Sequence, residues 1–375
     1  MQSTARLCEG LASLGHEVSV FTTNAGLELH GDLLIGRETI RNGVRVWYFP
    51  AREGRLGIQS PALTRFARQT VATFDLAHIT GVWQPTCIGA CRAAERQGVP
   101  YVVSPRGALS AYSWTQKTLK KRLYYWLFEK HNEAKAAGIH YTSQQEKDEC
   151  SLLNLPKTSC VIPNPLNLET WQRKESAGRE WRQEMGYAEN EKVFINVGRL
   201  HHKKGLDLLP PVLSNLATED WRMVFVGKDE DGTQRGLVDA FSQNGLLGKV
   251  AFTGTMPPER LVAMYSGADL FLMPSRDENF GNVVIEALAC GCPVVLSDST
   301  GVWDQIDDLD LVTVLPREQS RWVACLENVL MSIPRQHQPF ANYSAEIRNR
   351  FGCSKIASDM AKFYSDILAG RGGSM

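Results

Sequence analysis

Short apolar runs that alternate with helical patterns constrain the fold of this 375-residue chain more than any other feature. Twelve runs rich in β-branched and aromatic residues are predicted strands: 17–22, 44–49, 75–79, 101–104, 139–142, 160–162, 192–197, 221–226, 249–254, 269–274, 293–297 and 311–315. Helical stretches lie between most of them. Because parallel strands need crossover connections, the alternation predicts an α/β protein with parallel sheets and helices on both faces.

The chain is long enough for two domains. Prolines interrupt the pattern at "PNPLNLETW" (163–171), so we predict a first domain at 1–165 and a second at 166–375. An amphipathic pattern at 354–368 predicts a last helix that packs back toward the first domain. A doubly wound domain normally opens with a strand and a glycine-bearing turn, whereas this sequence starts inside a helical pattern. We therefore expect the first domain to lack its usual first strand or to be built differently.

Composition excludes several function classes. Lys plus Arg equals Asp plus Glu, 41 each, which gives no overall electrostatic case for a nucleic-acid partner. The nine cysteines show no Cys-x-x-Cys pair and no zinc-like spacing, and they predict reduced, buried thiols in a cytoplasmic protein. No run of 18 apolar residues and no signal-peptide pattern is present.

The segment "SRDENFGNVVIEALACGCPVV" (275–295) reads as a loop between a strand and a helix. Such loops lie outside the carboxyl ends of the strands, where α/β sheets bind ligands. Peptide N–H groups near Gly281 and Asn282 have no helical partner and can face an anion. Glu278 lies in the loop and Glu286 about one turn into the helix. The two carboxylates can reach different parts of an extended ligand with hydroxyls at its ends and phosphates in its middle.

A second strand-to-helix turn, "NVGRLHHKKG" (196–205), carries cations. Arg199 with Lys203 or Lys204 suits a diphosphate, because charge-assisted hydrogen bonds are the strong ones. His201 and His202 have no third ligand at helical spacing, so we interpret them as a loop pair rather than a metal site.

These two segments, with "VAFTGTMPPERLVAMYSGADLFLMPS" before the second, resemble the donor-binding half of the retaining glycosyltransferases of family 4. Glu278 and Glu286 match the E-x7-E signature of that family. The resemblance is close over 190–300 and extends less specifically through "DLAHITGVWQPT", "YVVSPRGALSAYSW" and "VIPNP". It implies the GT-B fold, in which two Rossmann-like domains with parallel sheets face each other across a cleft.

The resemblance also implies an activity. The protein would be an enzyme that transfers a hexosyl group from a UDP- or GDP-sugar to a glycan or lipid-linked acceptor, in surface polysaccharide or lipopolysaccharide assembly, without a metal. Arg199 and Lys204 would bind the diphosphate, Glu278 the sugar and Glu286 the ribose. Glu278, Arg199 and Lys204 would be the catalytic residues. The remaining donor-binding residues implied are Gly254, near the nucleobase, and Asn279, Phe280, Gly281, Asn282 and Val283.

Two regions of the first domain are candidates for acceptor and membrane contact. Arg106 in "SPRGAL" (104–109) stands near the place where related enzymes often carry a histidine. We predict that Arg106 and Trp83 line the acceptor side. The alternative is that both are ordinary loop residues. The basic and aromatic segment 115–135 is typical of a packed helix with one solvated basic face. The alternative is peripheral contact with an anionic membrane at its inner face.

Other nucleotide-binding classes fit less well. No G-x-G-x-x-G follows a predicted strand, and no G-x-x-x-x-G-K-[ST] is present, which argues against NAD-dependent enzymes and P-loop NTPases. "DED" (229–231) is interpreted as a solvated turn rather than a metal-binding D-x-D. A sugar-nucleotide 2-epimerase and a non-catalytic nucleotide-sugar-binding relative with an incomplete first domain remain as alternatives.

Overall fold

The computed structural model describes residues 2–27, 35–54, 57–115, 118–153, 155–156, 158–217, 220–331 and 340–370. The chain forms two compact units, Met1–Pro165 with Cys353–Met375, and Leu166–Gly352. The predicted second domain ran to residue 375. The segment from Cys353 belongs instead to the first unit, because its helix packs against the N-terminal helix.

The strands of the first unit form three separate sheets. Their bounds are Ser19–Thr23 (β1), Glu38–Arg41 (β2), Val44–Phe49 (β3), Arg52–Gly54 (β4), Gly57–Gln59 (β5), Ala77–Thr80 (β6), Tyr101–Ser104 (β7), Gly138–Tyr141 (β8) and Ser159–Val161 (β9). The sheet order β1-β3-β2 is mixed, β4 and β5 form a hairpin, and β6-β7-β8-β9 is fully parallel. Within the described residues, no strand bonds to both β1 and β6, so the mixed sheet and the parallel sheet are not joined into the single sheet of a simple Rossmann unit.

Helices cover both faces of the parallel sheet of the first unit. They are Gln2–Ser13 (α1), Pro61–Thr70 (α2), Pro85–Arg96 (α3), Ala111–Thr115 (α4), Thr118–Tyr124 (α5), Lys130–Ala134 (α6), Gln144–Cys150 (α7) and the C-terminal helix Cys353–Leu368, with a π-helical turn at Tyr125–Glu129. The C-terminal helix lies so close to β8 that a Cβ on Gly138 would come within 2.8 Å of the Phe363 ring. Glycine at this position therefore permits the helix to pack on the sheet.

The second unit is built on one six-stranded parallel sheet. Its strands are Lys192–Val197 (β10), Trp221–Val226 (β11), Val250–Phe252 (β12), Leu270–Met273 (β13), Val294–Ser297 (β14) and Val312–Leu315 (β15). The order β12-β11-β10-β13-β14-β15 is that of a dinucleotide-binding Rossmann domain. The apolar runs are continuous rather than alternating because both faces of the sheet are covered.

The flanking helices of the second unit are Glu175–Glu184 (α8), Leu209–Ser214 (α9), Thr233–Gln243 (α10), Pro258–Gly267 (α11), Asn282–Ala289 (α12), Gln319–Met331 (α13) and Phe340–Phe351 (α14). Pro210 and Pro211 fall in the first turn of α9, where the missing N–H groups cost nothing. Among the described residues, no helix of the protein combines the length and hydrophobicity needed to span a bilayer.

The sheet order places a switch point between β10 and β13. From β10 the chain continues toward β11 and β12, and from β13 it continues toward β14 and β15 on the other side. The loops that follow these two neighbouring strands leave the same edge of the sheet in different directions. A crevice opens at such a point in open α/β sheets, and ligands bind there.

Candidate active site at the switch point of the second unit

The loops that follow β10 and β13 touch through their backbones. Gly205 has φ +58°, and a Cβ there would come within 2.2 Å of the Pro274 carbonyl oxygen. The Arg276 N–H donates to the Lys203 carbonyl oxygen at 2.8 Å. Arg317 secures both loops, because its Nε donates to the Pro274 oxygen at 2.8 Å and its Nη2 to the Gly205 oxygen at 3.1 Å. The two loops are therefore one structural element at the switch point.

Two lysines of the β10 loop pair with two acids of the β13 loop. Lys204 Nζ donates to the Glu278 carboxylate, and Lys203 Nζ to Asp277 Oδ2 at 2.8 Å. The Lys204 and Glu278 side chains are 17% and 21% exposed, so their charges are only partly screened by water. The structure thus brings together two of the three predicted catalytic residues.

Gly281 ends the β13 loop and caps α12. Its φ of +95° is one that residues other than glycine rarely adopt, and a Cβ there would lie 3.0 Å from Thr300 Cγ2 and 3.6 Å from Glu278 Cγ. The amides of Asn282 and Val283, in the first turn of α12, have no partner within the helix. Anions are stabilised at such a helix start by these N–H groups and the helix dipole.

The backbone of Glu278 is fixed by the segment that follows β14. The Glu278 N–H donates to the Ser299 carbonyl oxygen at 3.0 Å, and its own carbonyl accepts from the Gly301 N–H at 2.8 Å. The carboxylate therefore projects from a backbone held on both sides, beside the start of α12.

The other predicted donor-binding residues differ in which of their atoms a ligand could reach. The Phe280 ring is buried in the core against Phe351, so only its backbone is available to a ligand. Glu286 is buried on α12. The burial of Tyr265 raises the pKa of that phenol, and the charge of Glu286 raises it further. Gly254 has φ +70° and no atom within 4 Å of its missing Cβ, so the surface there is open. Asn279 and Val283 are half-buried, and Asn282 is exposed.

Arg199 pairs with a different acid from the one that Lys204 contacts. Its Nη1 donates to Glu230 Oε2 at 2.6 Å, in the loop after β11, and its side chain is 64% exposed. The prediction grouped Arg199 with Lys204 on one diphosphate. The structure instead pairs Arg199 with Glu230 of the "DED" segment, which was interpreted from the sequence as a solvated turn.

His201 and His202 have a third neighbour that spacing along the sequence did not reveal. Their ring nitrogens and an Asp231 oxygen all lie within 4.8 Å of one another. Asp231 already accepts from the His202 N–H at 3.0 Å, pairs with His202 Nδ1 at 2.8 Å and accepts from Thr233 Oγ1 at 2.5 Å. These bonds, the His202 N–H first, hold the pKa of Asp231 well below its usual range. His202 and Asp231 therefore hydrogen-bond the β10 loop to the β11 loop, with His201 beside them.

In the first unit, Trp83 and Arg106 share an unusual backbone conformation. They lie in the loops after the adjacent strands β6 and β7, with φ of +67° and +56°. Residues other than glycine are held in this region only when their surroundings demand it, and such strain collects at functional sites. Arg106 donates to the Asn164 side chain, and burial lowers the pKa of its guanidinium.

Two buried acids hold these strained loops. The Trp83 N–H donates to Glu129 Oε1 at 2.6 Å, and the Gly107 N–H to Glu146 Oε1 at 2.6 Å. Neither acid was predicted from the sequence to have this role. Glu146 had a visible signal, because Ser143 caps α7 and an acid three residues later is a capping-box pattern. Its carboxylate, however, turns away to Gly107 and Thr142.

Each of the two units matches a known protein-family model. The family model "Glycosyl transferase 4-like domain" matches residues 2–165, and "Glycosyl transferases group 1" matches residues 178–338. The chain is 26% identical over 391 residues to an uncharacterized glycosyltransferase of Methanocaldococcus jannaschii, covering 96% of this chain and 92% of that protein. It is 34% identical over 155 residues to the D-inositol 3-phosphate glycosyltransferase of Nocardia farcinica, but spans only 34% of that relative.

Solved structures share the fold. The Anabaena protein HepE, in complex with UDP and glucose, superposes with a TM-score of 0.70 at 21% identity, over 86% of this chain and 87% of that one. WaaG, a glycosyltransferase involved in lipopolysaccharide biosynthesis, superposes with a TM-score of 0.64 at 16% identity, over 99% and 94%. The predicted α/β architecture of two Rossmann-like domains is confirmed. Together, the two family matches and the shared fold identify this chain as a glycosyltransferase of the GT-B type, within the glycosyltransferase 4-like superfamily.

Proposed function

We propose that this protein is a retaining, family 4 glycosyltransferase that transfers a hexosyl group from a nucleotide-diphosphate sugar to a glycan or lipid-linked acceptor. One observation carries the proposal. Lys204 and Glu278 pair beside the start of α12 at the switch point, where the amides of the first helical turn have no partner within the helix. The spacing of Glu278 and Glu286 matches the E-x7-E signature. The UDP bound by HepE and the lipopolysaccharide role of WaaG support a UDP-sugar donor and a surface-glycan product.

In this proposal the donor lies along the loops that follow β10, β12 and β13. The diphosphate contacts Lys204 and the amides at the start of α12, the ribose lies over Glu286, and the nucleobase over the open surface at Gly254. Arg199 reaches the diphosphate by leaving Glu230. That exchange costs little, because an exposed ion pair is worth about 0–1 kcal/mol.

The same groups would assist the bond-breaking step. As the bond between the anomeric carbon and the phosphate oxygen breaks, positive charge grows on the sugar and negative charge on the leaving diphosphate. Lys204 and the α12 dipole stabilise that growing negative charge, and Glu278 faces the sugar. We propose that no metal is required, since Lys204 and the helix supply the positive charge. Turnover that survives EDTA would support this, and loss of turnover restored by a divalent cation would overturn it.

Donor binding is testable with matched variants. Thermal stability is measured with UDP, GDP and their sugars for the wild type, Lys204→Met, Lys203→Met and Glu286→Gln. At about 100 times Kd the ligand adds roughly 2.7 kcal/mol to the folded state. We expect a shift with one nucleotide that is largely lost in Lys204→Met and Glu286→Gln. Lys203→Met, which removes the same charge one residue earlier, should keep it. Equal losses in both lysine variants would refute the role of Lys204.

Product analysis separates this proposal from its alternatives. With the preferred donor and a candidate acceptor, the anomeric coupling constant in the product spectrum should match that of the donor sugar, as retention requires. An inverted product would refute the retaining mechanism. A changed sugar nucleotide without acceptor would indicate a 2-epimerase, and nucleotide binding without any turnover would indicate a non-catalytic relative.

We also propose that the segment 115–135 contacts an anionic membrane surface. Residues 116 and 117 lie outside the described part of the chain. In the remainder, Leu119, Leu123, Trp126 and Leu127 are 47–86% exposed. Their spacing places them on one helical face, and exposed Arg122 and Lys130 flank them. Exposed apolar side chains beside basic ones suit the boundary between headgroups and acyl chains.

The nine cysteines carry thiols rather than disulfides, which supports a cytoplasmic location at the inner face.

Vesicle flotation tests the membrane contact. The wild type should float with vesicles that contain anionic lipid and remain behind with neutral ones. Leu123→Gln with Trp126→Gln should abolish flotation. Ile40→Gln with Leu247→Gln, which changes two exposed apolar residues elsewhere, should not. Equal flotation of the two double variants would refute the proposed surface.

A further inference from the structure

The first unit contains a cavity of about 350 Å³ at the start of two helices. It lies between the first turns of α2 and α3. Its lining consists of two arginines, three hydroxyl side chains, one amide and two prolines: Arg65, Arg68, Ser60, Thr64, Thr86, Gln59, Pro61 and Pro85. No acid lines the cavity among the described residues, in a chain whose total charge is balanced. The lining is therefore positive and rich in hydrogen-bonding groups.

Close packing of α2 on α3 brings the two helix starts together. A Cβ on Gly89 would come within 2.8 Å of Thr64 Cγ2, so this glycine permits the contact. Each helix begins with proline, and the following amides have no partner within the helix. The Gln84 side chain does not cap α3, since its Oε1 accepts from the Ile58 N–H at 2.7 Å. The positive ends of both helix dipoles thus face one region.

The two arginines that line the cavity are available to bind a ligand. Arg65 and Arg68 lie one turn apart on α2, both are exposed, and neither forms an ion pair with any acid in the described parts of the chain. Buried Ser60 also lines the cavity, and its oxygen accepts from the Leu63 N–H at 3.3 Å, which leaves its own O–H available to a ligand. Guanidinium groups bind phosphate and carboxylate with paired hydrogen bonds.

We propose that this cavity binds the anionic group of a charged sugar acceptor, a hydroxylated ring that carries a phosphate or a carboxylate. The inference rests on the proposed glycosyltransferase function, because it assigns a substrate class to the first unit. The cavity volume falls at the lower end of the range for small-molecule sites, enough for one such ring. Arg65 and Arg68 hold the anion, and Ser60, Thr64 and Thr86 bind ring hydroxyls.

Binding of simple probes tests the proposal. Titrations with glucose 6-phosphate, glucuronate and neutral glucose are followed by ligand-observed NMR, with UDP present at saturation to fill the donor site. We expect at least one charged probe to bind at least tenfold more tightly than glucose. Arg65→Gln with Arg68→Gln should remove that preference while the thermal shift with UDP persists. Arg37→Gln with Arg96→Gln removes the same charge from exposed positions of this unit and should change neither result.

The two charged probes distinguish the source of the anion. Tighter binding of glucose 6-phosphate indicates a phosphorylated acceptor, and tighter binding of glucuronate an acidic sugar. Equal affinity for charged and neutral probes, or a preference that survives in the Arg65/Arg68 variant, would overturn the inference. If UDP stabilises the wild type in these outcomes, the proposed function is unaffected. A wild type that binds neither UDP nor GDP nor their sugars refutes the proposed function instead.

Discussion

Glu129 should make the protein less stable as pH rises from about 4.5 to 7. The side chain is 2% exposed, and burial raises the pKa of its carboxyl from an ordinary 4.5 to about 7, against the opposing effects of the Trp83 N–H and Arg92. Between those values the unfolded chain loses a proton that the folded chain retains. The free energy of unfolding therefore falls with pH in this window. At 1.36 kcal/mol per pKa unit, the total loss is about 3 kcal/mol.

Glu129→Gln isolates this effect. The amide oxygen can still accept from the Trp83 N–H, but the side chain no longer ionises. We expect the free energy of unfolding of the variant, relative to wild type, to rise by about 3 kcal/mol between pH 4.5 and 8, measured by urea denaturation at each pH. Any constant cost of burying the amide cancels in this difference. Glu38→Gln, an isosteric change at an exposed position of the same unit, should show no such trend. A difference between Glu129→Gln and wild type that does not change with pH would refute the reasoning.

Further predictions concern the loops. Gly205→Ala should destabilise the second unit in thermal unfolding by more than Gly245→Ala, because both glycines have positive φ but only the Cβ at 205 would overlap the Pro274 oxygen. Equal losses would show that the overlap is relieved. Glu146→Ala should lower the free energy of unfolding of the first unit in urea by roughly 1–3 kcal/mol for each backbone donor it leaves without an acceptor, the Gly107 and Thr142 N–H groups. Unchanged stability would contradict these bonds.

Strands could be located from the sequence where burial makes them rich in apolar residues. All twelve predicted strands exist, and β3, β7, β10 and β11 match to the residue, because strands buried between helix layers must be continuously apolar. The added strand β2, "ETIR", was missed since it is almost wholly exposed and carries no apolar pattern. The hairpin of β4 and β5 was missed because each strand has only three residues and neither strand is buried.

The candidate site was predictable only in part. The glycines, the acids and the lysines after β10 and β13 are visible because the carboxyl edge of a parallel sheet is a recurrent ligand site. The partner of Arg199 was not, because Glu230 is 31 residues away and the contact depends on how two loops fold back. The holding roles of Glu129 and Glu146 were equally hidden. The capping-box pattern at Glu146 points to the start of α7, and nothing in the sequence shows that either acid bonds a distant loop.

The bonds of Arg317 have a consequence for exchanging parts between relatives. This residue follows β15, far along the chain from Gly205 and Pro274, yet it holds the carbonyl groups of both. A chimera that transplants the β10 loop or the β13 loop alone would place foreign backbone beneath a guanidinium adapted to the original. Residues 198–317 should therefore be exchanged together. Donor preference should transfer more completely with this whole segment than with either loop alone.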